Sequence, residues 1–177
     1  MQKDIESTLL KINNTNRVLW LGVFISMFIL ILITLVLYYT NLIELTSMSF
    51  ARDFDRIVLM LIFVITLIIF YIKRSYLIPG KLVEKANKID MVKNRFLSGD
   101  NADLKLNTLN NAIFYCNRYM LIVWFLADFI LIAAFVNFII APILNTFIIY
   151  GVVALYSLAI NYPTYRHLKS IYSFIYE

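Results

Sequence analysis

One acidic residue stands inside the apolar run LIVWFLADFILIAAFVNFII, which covers residues 121–140. This residue is Asp128, and Asn137 follows it nine positions later in the same run. A carboxylate near the centre of a bilayer costs about 2.5–3.5 kcal/mol on insertion scales, so such a residue usually faces a bundle interior, water or another subunit. Nine helical residues turn through about 180°, so Asp128 and Asn137 are expected to point in opposite directions.

Three chemical roles are open for Asp128. A protonated carboxyl group could donate a hydrogen bond inside the bundle, the side chain could pair with a residue of a partner subunit, or it could carry protons or cations along a path. Other polar residues in apolar runs are candidates for the same surroundings. Those expected at the depth of Asp128 are Ser26, Thr66 and Ser157, and those expected in a second layer with Asn137 are Thr34 and Asn145.

Four apolar runs must position these residues, namely 18–40, 57–72, 119–141 and 143–160. About 20 helical residues cross a hydrocarbon layer of ~30 Å, and the alternation typical of membrane strands is absent. Hydrophobic residues make up 62% of the 177-residue chain, well above a soluble domain. The sequence therefore predicts a single all-α integral membrane domain with four transmembrane helices in two hairpins.

The basic residues predict the orientation of these helices. Fourteen of the 16 Lys and Arg residues fall in the N-terminal segment 1–17, the connection 73–118 and the tail 161–177, whereas the outer loop 41–56 holds two. Cytoplasmic segments carry the excess of Lys and Arg. Both termini are therefore expected in the cytoplasm, with the protein in a bacterial inner membrane or an organellar equivalent.

The connection 73–118 is expected to form a basic, amphipathic, cytoplasmic helical hairpin. Pro79-Gly80 breaks the preceding helix, Ser98-Gly99-Asp100-Asn101 has the composition of a turn, and a second helix should start near Asp103 and continue into the third run. Anionic lipid headgroups are the expected partners of its first half. The basic residues assigned to them are Lys73, Arg74, Lys81, Lys85 and Lys88. The segment shows no basic groove with stacking aromatic residues, so the sequence does not indicate nucleic-acid binding.

The chain resembles itself at an offset of 101 residues. Asn16-Arg17 precedes the first run as Asn117-Arg118 precedes the third, and Ile29-Leu30-Ile31 matches Ile130-Leu131-Ile132. Such similarity arises by chance between apolar segments, or from a duplicated hairpin whose copies are parallel and related by an axis along the membrane normal.

Residues for enzymatic chemistry are not arranged in any familiar pattern. The sequence has no Ser/His/Asp set, phosphate-binding loop or HExxH motif. The acidic residues Glu44, Asp53 and Asp55 are expected in a solvated loop beside Arg52 and Arg56. The lone Cys116 is expected to fill apolar space, and the lone His167 has no second histidine with which to bind a metal. We therefore expect no enzyme activity, metal or cofactor.

The function expected from these features is non-catalytic: a small subunit or accessory protein of a larger complex, binding partner helices of another membrane protein or of further copies of itself. A small oligomeric channel or transporter that uses Asp128 is an alternative. A second alternative is an immunity-type protein that blocks a toxin or phage component in the membrane.

Overall fold

A computed structural model describes residues 2–40, 48–94 and 101–176. Every regular element in these ranges is an α-helix, so the prediction of an all-α protein is confirmed. In chain order the helices are α1 (Gln2–Tyr39), α2 (Met48–Tyr76), α3 (Pro79–Asn94), α4 (Asn101–Ile140), α5 (Leu144–Ala159) and α6 (Tyr165–Tyr176).

Three of the described helices are long and apolar enough to cross a bilayer, over Ile5–Tyr39, Phe50–Tyr76 and Leu104–Ile140. This finding supports a membrane-embedded protein. The helix α5 has 16 residues and a rise of about 24 Å, so it is the shortest of the four apolar helices. The count of four spans stays a prediction.

Two of the helices run unbroken through segments that differ in polarity. α1 includes the N-terminal segment 1–17 from Gln2 onward, and α4 begins at Asn101, two residues before the expected start, and continues into the third apolar run. Neither segment contains proline, so nothing interrupts the backbone hydrogen bonds where polar residues give way to apolar ones.

Part of the segment expected as the outer loop is helical. α2 begins at Met48, so the second part of the segment 41–56 is helical, while residues 41–47 lie outside the described ranges. Ala51 and Val58 are both buried, seven positions apart on one face of this helix. The inward face of α2 therefore extends into a stretch whose charges, among them Arg52 and Asp53, suggested a loop.

The C-terminal segment 161–177 is folded as well. α5 ends before Pro163, and α6 then buries Leu168 and Ile171 on one face. α6 packs on α3, where the ring of Phe174 lies within 3.7 Å of the position that a Cβ atom on Gly80 would take. A Cβ atom at this position would make an ordinary van der Waals contact with the ring, so the two helices are in close contact and the tail is a packed helix.

The chain divides into two compact units. The basic unit comprises Met1–Val18, Tyr71–Ile122 and Pro163–Glu177, and its buried side chains include Leu82, Leu109, Cys116, Leu168 and Ile171. The apolar unit comprises Leu19–Phe70 and Val123–Tyr162, and its buried side chains include Met27, Ile69, Trp124, Phe138 and Leu158. All fourteen basic residues assigned to the cytoplasm belong to the basic unit by sequence.

Candidate functional site

Asp128 lies on α4 beside Ser26 of α1, with 3.4 Å between the Ser26 Oγ and the Asp128 Oδ1 atoms. The same hydroxyl lies 2.7 Å from the carbonyl oxygen of Val23 in its own helix. Because a hydroxyl has a single hydrogen, the shorter contact takes it, and the contact with Asp128 is weak. Asp128 therefore has no strong hydrogen-bond partner among the described residues.

The surface next to this carboxylate is open and lined by small residues. Ser26 is exposed, and a Cβ atom on Gly22, one turn earlier, would meet nothing within 4 Å. Asp128 itself is half-buried. We call the surface formed by Gly22, Ser26 and Asp128 the α1 flank. Small residues four apart allow another helix to approach closely within a membrane.

A second polar group joins three helices of the apolar unit. Asn137 of α4 donates a hydrogen bond from Nδ2 to the Asp55 Oδ1 atom of α2 at 2.8 Å. The hydroxyl of Tyr150 in α5 donates to the same oxygen at 3.2 Å. Asn137 and Tyr150 are only 2% and 5% exposed, whereas Asp55 is half-buried. These three residues form the Asp55 cluster.

The structure thus places Asp128 against α1 and Asn137 against α2 and α5. Sequence reasoning did not find Asp55 or Tyr150 as partners of Asn137. Asp55 was assigned to a loop, and Tyr150 was not singled out. The helical spacing of Ala51, Asp55 and Val58 is the signal that could have predicted Asp55 on the inward face of a helix.

The other polar candidates do not form a common layer. Thr34 is fully buried and donates to the carbonyl oxygen of Leu30 in its own helix at 2.9 Å, and Thr66 donates in the same way to Ile62 at 2.8 Å. Asn145 lies exposed in the first turn of α5. Thr34 and Thr66 therefore bond within their own helices, and Asn145 faces the exterior.

Two tryptophans that sequence reasoning passed over bind the end of α5. The indole of Trp20 donates to the carbonyl oxygen of Leu158 at 3.1 Å, and the indole of Trp124 donates to that of Asn161 at 2.9 Å. The Asn161 side chain donates back to the carbonyl of Ser157, the remaining predicted candidate, at 2.8 Å. The last carbonyls of a helix lack partners within it, so the bonds to Leu158 and Ser157 satisfy the C-terminus of α5, and the bond to Asn161 holds the turn that follows.

Two of the lysines predicted to contact lipid headgroups contact protein groups. The Lys85 ammonium lies 5.0–5.3 Å from the ring centres of Tyr76, Tyr115 and Tyr119 and donates a hydrogen bond to the hydroxyl of Tyr119. We call these four residues the Lys85 box.

Lys88 pairs with Glu84 at 2.8 Å, and this bond lowers the pKa of the Glu84 carboxyl. Lys73, Arg74 and Lys81 are exposed as well.

The remaining candidates for metal or redox chemistry are Cys116 and His167. Cys116 is a free, fully buried thiol. The Nε2 atom of His167 is buried and has no hydrogen-bond partner within the part of the chain that the structure describes, and burial lowers the pKa of this imidazole. Within the described ranges, no three His, Cys, Asp or Glu residues lie close enough together to hold a metal ion.

Comparisons with known proteins add no information on function. No protein-family model matches the chain, and searches of curated proteins and of solved structures found no match either.

Proposed function

We propose that this chain is a non-catalytic subunit or accessory protein of a larger membrane complex, and that it holds another membrane protein through the α1 flank. The flank combines three features that lipid does not favour: a half-buried carboxylate without a strong partner, an exposed hydroxyl, and an open position beside Gly22. A helix packed there would remove the carboxylate from hydrocarbon and fill the open space.

The orientation of the chain is part of this proposal. We place four spans in a bacterial inner membrane or its organellar equivalent, with both termini and the hairpin of α3 and early α4 in the cytoplasm. The contact between α6 and α3 supports the fourth span. If α4 crosses the membrane away from α3, then α5 must bring the chain back for α6 to reach it.

The low burial of α1 supports the same conclusion. Only 11% of the most apolar window of α1 is buried within the chain, compared with 44% for α4. Lipid alone can cover an apolar helix face, so exposure by itself does not indicate a partner. The polar atoms of Ser26 and Asp128 give this face a chemistry that protein satisfies better than lipid.

The partner expected at the α1 flank is a transmembrane helix of a different protein. It should present a small residue opposite Gly22 and a hydrogen-bond donor within reach of the Asp128 carboxyl group. Serine, threonine, asparagine or a basic side chain would meet the second requirement.

Site-specific photocrosslinking in the native membrane tests this proposal. A photoreactive amino acid is placed at Ile29, which lies on the side of α1 that carries Gly22, or at Phe28, which lies about 100° further round the helix. These two positions are 51% and 53% exposed, so they form a matched pair. We expect Ile29 to give one discrete adduct with another membrane protein, and Phe28 to give none.

Two substitutions connect the adduct to the flank. Gly22→Leu and Asp128→Leu should each abolish it, whereas Phe28→Leu, at an exposed position outside this face of α1, should leave it intact. An adduct of two copies of this chain, or equal crosslinking from both positions, would contradict the proposal.

A channel or transporter that uses Asp128 has less support. Transporters typically bind their substrates where transmembrane helices are interrupted near the midplane. α1 and α4, which carry Ser26 and Asp128, are continuous from Gln2 to Tyr39 and from Asn101 to Ile140. The immunity-type alternative remains a prediction from size and span count.

A further inference from the structure

The Asp55 cluster leaves one negative charge uncompensated in the apolar unit. Both groups that donate to the Asp55 carboxylate, the Asn137 amide and the Tyr150 hydroxyl, are neutral. Arg56 pairs with Asp53, with 3.6 Å between the charged groups, and Asp55 has no basic partner among the described residues. A carboxylate partly removed from water is stabilised by a cation or by a proton.

The same cluster leaves one oxygen without a hydrogen bond. The Asn137 Oδ1 atom is buried and has no partner among the described residues, although the Nδ2 atom of the same amide donates to Asp55. Buried side-chain oxygens are nearly always satisfied by protein, water or an ion. The cluster therefore presents a carboxylate, an unused amide oxygen and the phenol oxygen of Tyr150 from three different helices.

We propose that Asp55, Asn137 and Tyr150 bind one Na⁺ ion, with water completing the shell. Carboxylate, amide and hydroxyl oxygens are hard ligands that suit small, hard cations. A single carboxylate balances a single positive charge, whereas sites for divalent ions usually gather several carboxylates. A proton on Asp55 is the competing way to neutralise the charge, and it would satisfy the Asn137 oxygen only if the amide turned round and gave up the bond from Nδ2.

The sequence predicted no metal site, in part because Asp55 was expected in a solvated loop. It also differs from the proposed function, because the α1 flank contains none of the three residues. An ion at the cluster would hold α2, α4 and α5 together and serve the stability of the subunit. It requires no partner protein.

Direct binding of radioactive ²²Na⁺ to the purified full-length chain in detergent tests the proposal. We expect one ion per chain, displaced by unlabelled Na⁺ and not by choline at the same ionic strength. Asp55→Asn removes the charge with little change in shape and should reduce the affinity for Na⁺ at least tenfold. Asp53→Asn is the matched control. It removes the same charge two residues earlier in the chain, where the Asp53 side chain is 72% exposed.

Tyr150→Phe keeps the aromatic ring and removes only the oxygen, so it provides a second variant if Asp55→Asn does not fold. It should weaken Na⁺ binding severalfold while the chain keeps its elution volume in gel filtration. Equal binding by the wild type, Asp55→Asn and Tyr150→Phe would overturn the proposal. Stabilisation of the wild type by acid alone, without any dependence on Na⁺, would overturn it as well and identify the cluster as a proton site.

Discussion

Asn16 of α1 donates a hydrogen bond to Asn117 of α4, with 2.8 Å between the Nδ2 and Oδ1 atoms. The two asparagines are 101 positions apart, which is the offset at which the sequence resembles itself. When two helices are related by rotation about an axis that runs between them, a residue beside the axis contacts the equivalent residue of the other helix. The contact is therefore the one that a duplicated helix, with both copies running in the same direction, would make.

A cavity of about 220 Å³ between the same two helices repeats this offset. Adding 101 to each lining position of α1 gives a lining position of α4. The four pairs are Ile5 with Leu106, Thr8 with Leu109, Leu9 with Asn110, and Ile12 with Ile113. They are the contacts expected if two hairpins are related as parallel repeats, and the duplication itself stays a prediction.

The hydrogen bond between the asparagines should fix the register of α1 against α4. The positions Ile5, Leu9, Ile12 and Asn16 are spaced as in a coiled-coil seam, where a buried asparagine specifies register at a cost in stability. Replacing either Asn16 or Asn117 with leucine leaves the other amide without its partner. We expect each single variant to lose about 1–3 kcal/mol of unfolding free energy.

The double variant tests the coupling between the two positions. With both amides gone, an apolar contact replaces the hydrogen bond, and most of the lost stability should return. Equilibrium unfolding of the wild type, the two single variants and the double variant in mild detergent gives the coupling energy. Losses that simply add would show that the two residues act independently.

The Lys85 box should stabilise the basic unit through the charge of the ammonium group. Lys85→Met keeps the length of the side chain and removes its attraction to the three tyrosine rings, which is worth about 0.5–2 kcal/mol. Denaturant unfolding should show a loss of this size, and Lys85→Arg should retain most of the stability. Lys81→Met, at an exposed position one turn earlier, should stay within about 0.5 kcal/mol of the wild type.

The two tryptophans should differ in their access to lipid. Trp124 is 1% exposed and Trp20 is half-buried, and the chain has no other tryptophan. Trp124→Phe leaves Trp20 as the only strong emitter, and lipids brominated high on the acyl chain should quench its fluorescence. Trp20→Phe leaves Trp124, whose emission should be nearly unaffected. Equal quenching of both proteins would contradict the packing of α4 inside the apolar unit.

His167 should make the basic unit sensitive to acid. Burial lowers the pKa of this imidazole below its usual value near 6.5, so the folded chain takes up a proton less readily than the unfolded chain. Its neutral form therefore supports the fold fully above about pH 6.5, and this contribution is lost as the pH falls through the lowered pKa. The stability of His167→Gln, measured from pH 7.5 to 5, should fall less steeply than that of the wild type.

The helical class and the apolar runs could be predicted because they depend on local composition and on hydrogen bonding within each helix. Pro79 and Pro163 likewise mark the ends of helices directly in the sequence, as α2 and α5 end just before them. The start of α2 could not be predicted from charge density. Arg52 and Asp53 lie on its outer face while Ala51 and Val58 lie on its inner face.

The candidate site was only partly predictable, for a different reason. Asp128 and Asn137 stand out because polar residues are rare in apolar runs, and that rarity is visible in one dimension. Their partners Ser26, Asp55 and Tyr150 come from other helices, and the register between helices depends on packing across the whole unit. The contacts of Lys85 with three tyrosines were not predicted. Contacts between residues far apart in the chain leave no pattern in the local sequence around a lysine.

Thiol labelling in intact cells tests the four-span topology, on which the rest of the account depends. Single cysteines replace Asp53, Lys81 or Lys169, all at exposed positions, in a chain whose only native cysteine has been removed by Cys116→Ala. A maleimide that does not cross membranes should label position 53 in intact cells, and positions 81 and 169 only after permeabilisation. Labelling of position 169 without permeabilisation would mean that α5 does not return the chain across the membrane. Labelling of position 81 without permeabilisation would mean that the orientation is the reverse of the predicted one.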